Sequence, residues 1–270
     1  MNPNQALWEK GDFTQIADFM RESGETVVQS LRIQPPARVL DLGCGDGTTA
    51  LPLAQAGVDV TGIDIARNLV DAGNRRAREA GVTHLRFLHG DACSLDGVDN
   101  ATFDATISVF GAMFAPRPYD VAREMVRVTR DGGRIIMGNW IPGDPTFVSQ
   151  VLRISSTYMP PPPAGFVSPM TWGVEDQILE RFGKAGVPES KVSVDRDTFY
   201  FISADKSPEQ FIDLFERFYG PTMNAVDAAR KTGREDDLHR ELVDLANSKN
   251  QGKNGGTSIP ATFMRVTVNL

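Results

Sequence analysis

Apolar and polar positions along this chain follow one rhythm in the middle and another at each end. From residue 38 to 141, short apolar runs alternate with stretches in which apolar residues recur every three or four positions. RVLDL (38–42), VDVTGID (58–64), HLRFLHGDA (84–92), FDATISVFGA (103–112) and RIIMGNWI (134–141) read as strands. Helical spacing fills 48–56, 68–81 and 119–133, stopped by Gly57, Gly81 and Gly132-Gly133. Such alternation predicts a doubly wound parallel sheet with right-handed crossovers.

The flanks are less regular. Over residues 1–35, Ile16, Phe19, Met20, Val27, Val28 and Leu31 keep helical spacing, and Pro35-Pro36 closes the segment. Trp8 and Phe13 flank a Gly-Asp turn and read either as anchors on the core or as part of a lid. After Ile141 one helix (146–158) leads into a proline run, 160–163, that can be neither helix nor central strand. A helix over 174–186, a strand over 191–203, a helix with Pro208 in its first turn and two charged helices within 222–250 follow. Residues 250–258 read as a flexible loop, and 261–270 as a last strand. If the two late strands pair antiparallel, a Rossmann-like sheet of seven strands results. The whole chain then forms a single domain, 1–270. It comprises an N-terminal helical or lid segment (1–35), a core (36–141) and insertions (142–174 and 205–258) that cap the strand carboxyl ends, where open α/β sheets bind ligands. Segments 1–20 and 145–175 are expected to order over the ligand.

Composition narrows the class rather than the function. Hydrophobic residues make up 41% and charged residues 23%, ordinary for a globular protein, and no apolar run approaches the length of a membrane span. Two distant cysteines, Cys44 and Cys93, and the lack of a signal-peptide pattern fit a cytoplasmic protein. With 28 basic against 35 acidic residues the net charge is −7, which disfavours nucleic-acid partners. The densest basic segment, RRAR at 75–78, reads as a solvated helix face. Oligomeric state is not readable from the sequence.

The candidate chemistry begins where the first strand ends, in VLDLGCGDG (39–47). Asp41 precedes Gly43, Gly45 and Gly47 at alternate positions, a turn that lets a ligand approach the backbone. Asp64 closes the second strand, placed to accept ribose hydroxyls; Asp91-Ala92 closes the third, placed to read adenine. The glycine spacing is G-x-G-x-G, not the dinucleotide G-x-G-x-x-G, and no Gly-Lys-Ser/Thr follows. A carboxylate close to the cradle suits a cationic sulfonium ligand better than a pyrophosphate.

With VLDLGCGDG, GID, HGDA, FDATISVFGAMF and RVTRDGGRIIMGNW, the stretch 36–141 resembles the class I S-adenosylmethionine-dependent methyltransferases. Its tone is nearest the ubiquinone/menaquinone and other small-molecule enzymes. The resemblance implies S-adenosylmethionine as cofactor and S-adenosylhomocysteine as product. It implies that Gly43, Cys44, Gly45 and Gly47 lie against the methionine part and that Asp64 binds ribose with Ile65 on adenine. It also implies that Asp91 and Ala92 read adenine, while Ser108 and Val109 approach the methionine end. Val109 stands where the quinone enzymes commonly carry Ser, which leaves only a backbone contact there.

Methyl transfer from a sulfonium asks mainly for alignment and exclusion of water, and for a base only where the acceptor must lose a proton early. His84, His89 and His239 read as packing or surface residues before they read as bases. No His/Cys/Asp/Glu spacing suggests a metal, and no G-x-S-x-G is present. Asn139 and Trp140 close the fifth strand; Tyr158, Phe166 and Trp172 flank the proline run; Phe215, Phe218 and Tyr219 recur on one helix. A minority of these lining a pocket would suit a small planar or apolar methyl acceptor. Two other readings remain open: an NAD(P)-dependent oxidoreductase, and an S-adenosylmethionine-binding protein without turnover.

Overall fold

A computed structural model describes residues 5–270 and arranges seven strands in one mixed sheet. An N-terminal run of helices, α1 (Gln5–Lys10), α2 (Thr14–Ala17), a 3₁₀ turn and α3 (Arg21–Leu31), precedes β1 (Arg38–Leu42). Then come α4 (Ala50–Gln55), β2 (Asp59–Asp64), α5 (Arg67–Glu79), β3 (Leu85–His89), β4 (Phe103–Val109), α6 (Pro118–Val128) and β5 (Thr129–Trp140). The late part adds α7 (Phe147–Tyr158), α8 (Glu175–Lys184), β6 (Val192–Ser203), α9 (Pro208–Phe218), α10 (Gly220–Lys231), α11 (Glu235–Lys249) and β7 (Thr257–Asn269). The strand order is β3-β2-β1-β4-β5-β7-β6, the first five parallel and β7 antiparallel to both neighbours. This is the Rossmann-like architecture that the alternating pattern predicts, with the late pair inserted so that β7 lies inside and β6 forms the edge.

The central strands are apolar on both faces, as buried parallel strands must be: Val39, Leu40, Val60 and Ile107 are all inaccessible. Helices lay one stripe on the sheet. In α5 the stripe is Leu69, Val70, Ala72, Gly73 and Ala77, and Asn74 fixes it by accepting from Phe87 N–H and donating to Phe87 C=O. Two expectations shift. The helix expected to reach Gly133 ends at Val128, because residues 129–133 pair with strand neighbours: Phe103 aligns with Thr129, and Gly133 accepts from the Leu270 amide. The helix expected from 48 starts at Ala50, because the glycine turn runs on through Thr49.

The inserted segments divide. Helices α7, α9, α10 and α11 pack on one another, and α2 packs on α9. After α7 the chain leaves this cap: the 3₁₀ turn Pro169–Gly173 packs on β5, and α8 packs chiefly on α6. Gly173 fits because its α-carbon stands where an added methyl would lie 2.1 Å from the Trp140 carbonyl. In α9, Ser207 and Gln210 form a reciprocal capping box with Pro208 in the first turn. Among the described residues no helix is long and apolar enough to cross a membrane.

Candidate active site

The carboxyl ends of β1, β2 and β4 meet at the glycine loop. Gly43 (φ +69°) donates to the Ile63 carbonyl, crossing from β1 to β2. On its other side it touches the turn after β4, where a methyl on Gly43 would lie 2.7 Å from the Gly111 α-carbon. Only two glycines allow these backbones to meet. Gly45 (φ +55°) differs: nothing lies within 4 Å of where its β-carbon would be, so its bare face opens on a cavity. Gly47 does not line that cavity. A β-carbon there would meet the Phe87 ring at 2.6 Å, so this position needs glycine for packing.

Asp64 ends β2, 8% exposed, with its carboxylate at the cavity wall. One oxygen accepts from Gly45 N–H (2.8 Å) and the other from Ala66 N–H (2.9 Å). Burial raises this carboxyl, and the amide hydrogen bonds oppose the rise. Each oxygen keeps a further lone pair. Asp41 lies deeper, off the cavity; burial pushes it up to about 7 although the Thr49 hydroxyl donates to it at 2.5 Å, and its second oxygen has no partner. Asp46, 2% exposed, lines the cavity and pairs with Arg21 at 2.5 Å, which also donates to Thr48. Arg21 thereby pins α3 to the glycine loop.

The other expected positions separate on inspection of the walls. Cys44, Ile65, Ala92 and Val109 line the cavity. Asp91 does not; one of its oxygens accepts from Cys93 N–H in a local turn, and the wall there is Gly90 and Ala92. Ser108 is 1% exposed and works inside the fold: it donates to the Leu42 carbonyl at 2.7 Å and accepts from Ala112 N–H at 2.9 Å. It clamps β4 to β1. Of the expected set, Gly43, Cys44, Gly45, Asp64, Ile65, Ala92 and Val109 lie at the cavity wall, and Asp41, Gly47, Asp91 and Ser108 do not.

Beyond the glycine loop the cavity widens between aromatic side chains, about 1200 Å³ of space counting its open mouth. Trp140 stacks on Phe110, ring centroids 3.7 Å apart and planes at 11°, and Phe199 and Phe263 meet Phe110 edge-on. Trp8 and Phe13 also line it, with Trp8 5.1 Å from Phe114 and 6.0 Å from Tyr219. Tyr158 and Trp172 do not. Tyr158 donates to Glu241 (2.7 Å) beneath the Arg234 guanidinium, within the cap, because α7 presents Val148 to the cavity instead. Trp172 is buried against Phe182 and Arg181, where the chain has left the cap for α8. Asn139 is fully buried; alternation along β5 turns it away when Trp140 faces the cavity. Phe110, with φ +63°, Phe199 and Phe201 belong to the wall but carry no local signal beyond apolar character.

No histidine lines the cavity. His84 bonds the Ala54 carbonyl (2.7 Å), His89 lies 3.5 Å from Gln5, and His239 lies 3.0 Å from Glu216. With Asp213, these last two form a cluster on α9 and α11 that sequence spacing does not foresee. Both cysteines are free and buried.

Comparison with known proteins bears on this geometry. The family described as "Methyltransferase domain" matches residues 40–137, which span β1 through most of β5 and hold the glycine loop. A protein of Mycobacterium tuberculosis named only as uncharacterised is 33% identical over 225 residues, covering 82% of this chain and 78% of its own. The chain belongs to the class I S-adenosylmethionine-dependent methyltransferases. A demethylmenaquinone methyltransferase of Paenarthrobacter aurescens is 36% identical over 114 residues, 42% of this chain and 43% of its own. A crystal structure from Bacillus halodurans described as a "putative methyltransferase" shares the fold, with a TM-score of 0.57 and 17% identity, covering 91% of this chain and 97% of its own. The oxidoreductase reading is thereby set aside.

Proposed function

We propose that this methyltransferase binds S-adenosylmethionine in the glycine-lined end of the cavity and transfers its methyl group to a small, largely apolar acceptor in the aromatic end. The observation that carries the reading is the continuity of the two ends: one cavity runs from Gly45 and Asp64 to Trp140, Phe199 and Tyr219. The residues fit the cofactor. Gly45 presents a bare backbone beside a buried carboxylate with lone pairs to spare, Ile65, Leu69 and Ala92 offer an apolar slot for adenine, and the acidic surroundings suit a cation. When bound, the cofactor supplies a methyl group already activated on a sulfonium.

The chain's own part is then to bind, align and exclude water. Gly43, Cys44 and Gly45 would hold the methionine part, and Asp64 the ribose. The apolar side chains around Phe110 and Trp140 would keep water from the reacting atoms. The N-terminal segment, contributing Trp8, Phe13, Ile16 and Met20 and tied down by Arg21–Asp46, would cover the mouth. The relative named for demethylmenaquinone matches over only 42% of this chain, so its acceptor is not carried across. Incubation with S-adenosylmethionine and a panel of phenols, enolisable ketones and amines tests the reading by mass spectrometry. Acceptor-dependent S-adenosylhomocysteine is the expected outcome. Tight cofactor binding with no product from any of the panel would favour a binding protein without turnover. Hydrogen exchange adds a check on the cover: residues 5–20 should slow when S-adenosylhomocysteine binds, and unchanged exchange would remove the lid from the account.

A further inference from the structure

Polar side chains around the cavity fall into two sets. At the glycine end each has a partner: Thr49 donates to Asp41, Thr48 accepts from Arg21, Asp46 pairs with Arg21, and Asp64 accepts two backbone amides. At the aromatic end Tyr219 is 5% exposed and lines the cavity, yet its hydroxyl bonds to no described residue. It sits at the junction of α9 and α10, its ring 4.9 Å from Phe215 and 6.0 Å from Trp8. The Trp140 indole N–H, on the same cavity, also has no acceptor among the described residues. Neither atom is sealed inside the fold, so both donors open onto the cavity, where a bound molecule could take them up.

We propose that Tyr219 is the specificity-determining residue for the acceptor, donating its hydroxyl to an oxygen on an otherwise apolar molecule that lies against Trp140. This deepens the methyltransferase reading above and rests on it. Burial pushes the phenol's pKa upward with no neighbouring charge to oppose it, so at neutral pH Tyr219 is a hydrogen-bond donor and not a base. The phenol can donate or accept and the indole N–H can only donate, so an acceptor atom such as a carbonyl or hydroxyl oxygen is what both can bind. The acids that line the cavity, Asp46 and Asp64, are engaged at the glycine end, so no free carboxylate awaits an ammonium group. The aromatic rings alone could hold a cation by their faces; that alternative is an arm of the test.

The test uses the full chain loaded with S-adenosylhomocysteine and three probes of one ring size: 2-acetylnaphthalene, 2-ethylnaphthalene and naphthalen-2-ylmethylammonium. Calorimetry should show the acetyl probe binding about fivefold tighter than the ethyl probe, the worth of one hydrogen bond. Tyr219→Phe should abolish that preference while leaving the ethyl probe and S-adenosylhomocysteine unchanged. A wild-type protein without the acetyl preference, a preference that survives Tyr219→Phe, tightest binding of the ammonium probe, or a variant that unfolds would each overturn the proposal. Failure of the wild type to bind S-adenosylhomocysteine would instead overturn the cofactor reading beneath it.

Discussion

The two ends of the cavity are built by opposite means. The glycine end is assembled from short sequence distances: residues 43–46, 48–49, 63–65, 90 and 92, each at or just past the end of a strand, closed by the Gly43–Gly111 contact. Its polar groups are bound to the backbone or to one another. The aromatic end gathers Trp8 and Phe13, Trp140, Phe199 and Phe201, and Phe215 and Tyr219 from across the chain, and ring packing holds it with few hydrogen bonds. A site of the first kind fixes one ligand by geometry; a wall of the second kind changes shape with any of its rings. One end is suited to a constant cofactor and the other to a particular acceptor.

If the ends are energetically separate, damage to one should spare the other. Trp140→Ala tests this most severely. Loss of a buried ring stacked at 3.7 Å on Phe110 should cost about 3–5 kcal/mol of stability in urea denaturation. Affinity for S-adenosylhomocysteine should stay within about twofold if the two ends are energetically independent. A collapse of both would merge the two ends into one unit.

Asp41 sharpens the comparison from the glycine side. Burial raises its carboxyl from 3.8 to about 7, so folded protein holds this proton where unfolded protein has released it. Its contribution to stability is therefore complete below about pH 4, falls as pH rises to about 7, and is flat above. Asp41→Asn should abolish this component: relative to the wild type, the variant should gain on the order of 2–4 kcal/mol between pH 4 and pH 8. A wild-type-minus-variant difference that does not change with pH would show that Asp41 is ionised in the fold.

The smallest expected effect separates neighbouring glycines. Gly45→Ala places a methyl in open space at φ +55° and should cost only about 1–2 kcal/mol of stability, while weakening S-adenosylhomocysteine binding because the methyl projects into the cavity. Gly47→Ala drives a methyl into Phe87 and should lose more stability without entering the cavity. Equal effects of the two on binding would contradict this division of the loop.

The same contrast explains what the sequence made legible. Five strands, their crossovers and the late antiparallel pair follow from local apolar rhythm, and Asp64 is readable because it sits at a strand end a fixed distance past the glycines. What a residue does there is less readable. Ser108 and Asp41 look like ligand contacts, but whether a polar side chain at a strand end turns outward or satisfies a buried backbone group depends on neighbours distant in sequence. The place of Trp140 on the cavity is readable from its position at the end of β5, whereas the places of Trp172 and Tyr158 off it are not, because the path of the chain after α7 has no local signature. Phe110 and Phe199 carry no signal apart from hydrophobicity; only sheet order brings them together.

The central claim, that the glycine end holds S-adenosylmethionine through Asp64, is most directly tested by calorimetric titration of S-adenosylhomocysteine into the wild type and Asp64→Ala, with folding of both verified by near-UV circular dichroism. Loss of two hydrogen bonds to a charged acceptor predicts an affinity at least about 100-fold weaker in the variant. An affinity unchanged within the error of the titration, in a folded variant, would contradict the account.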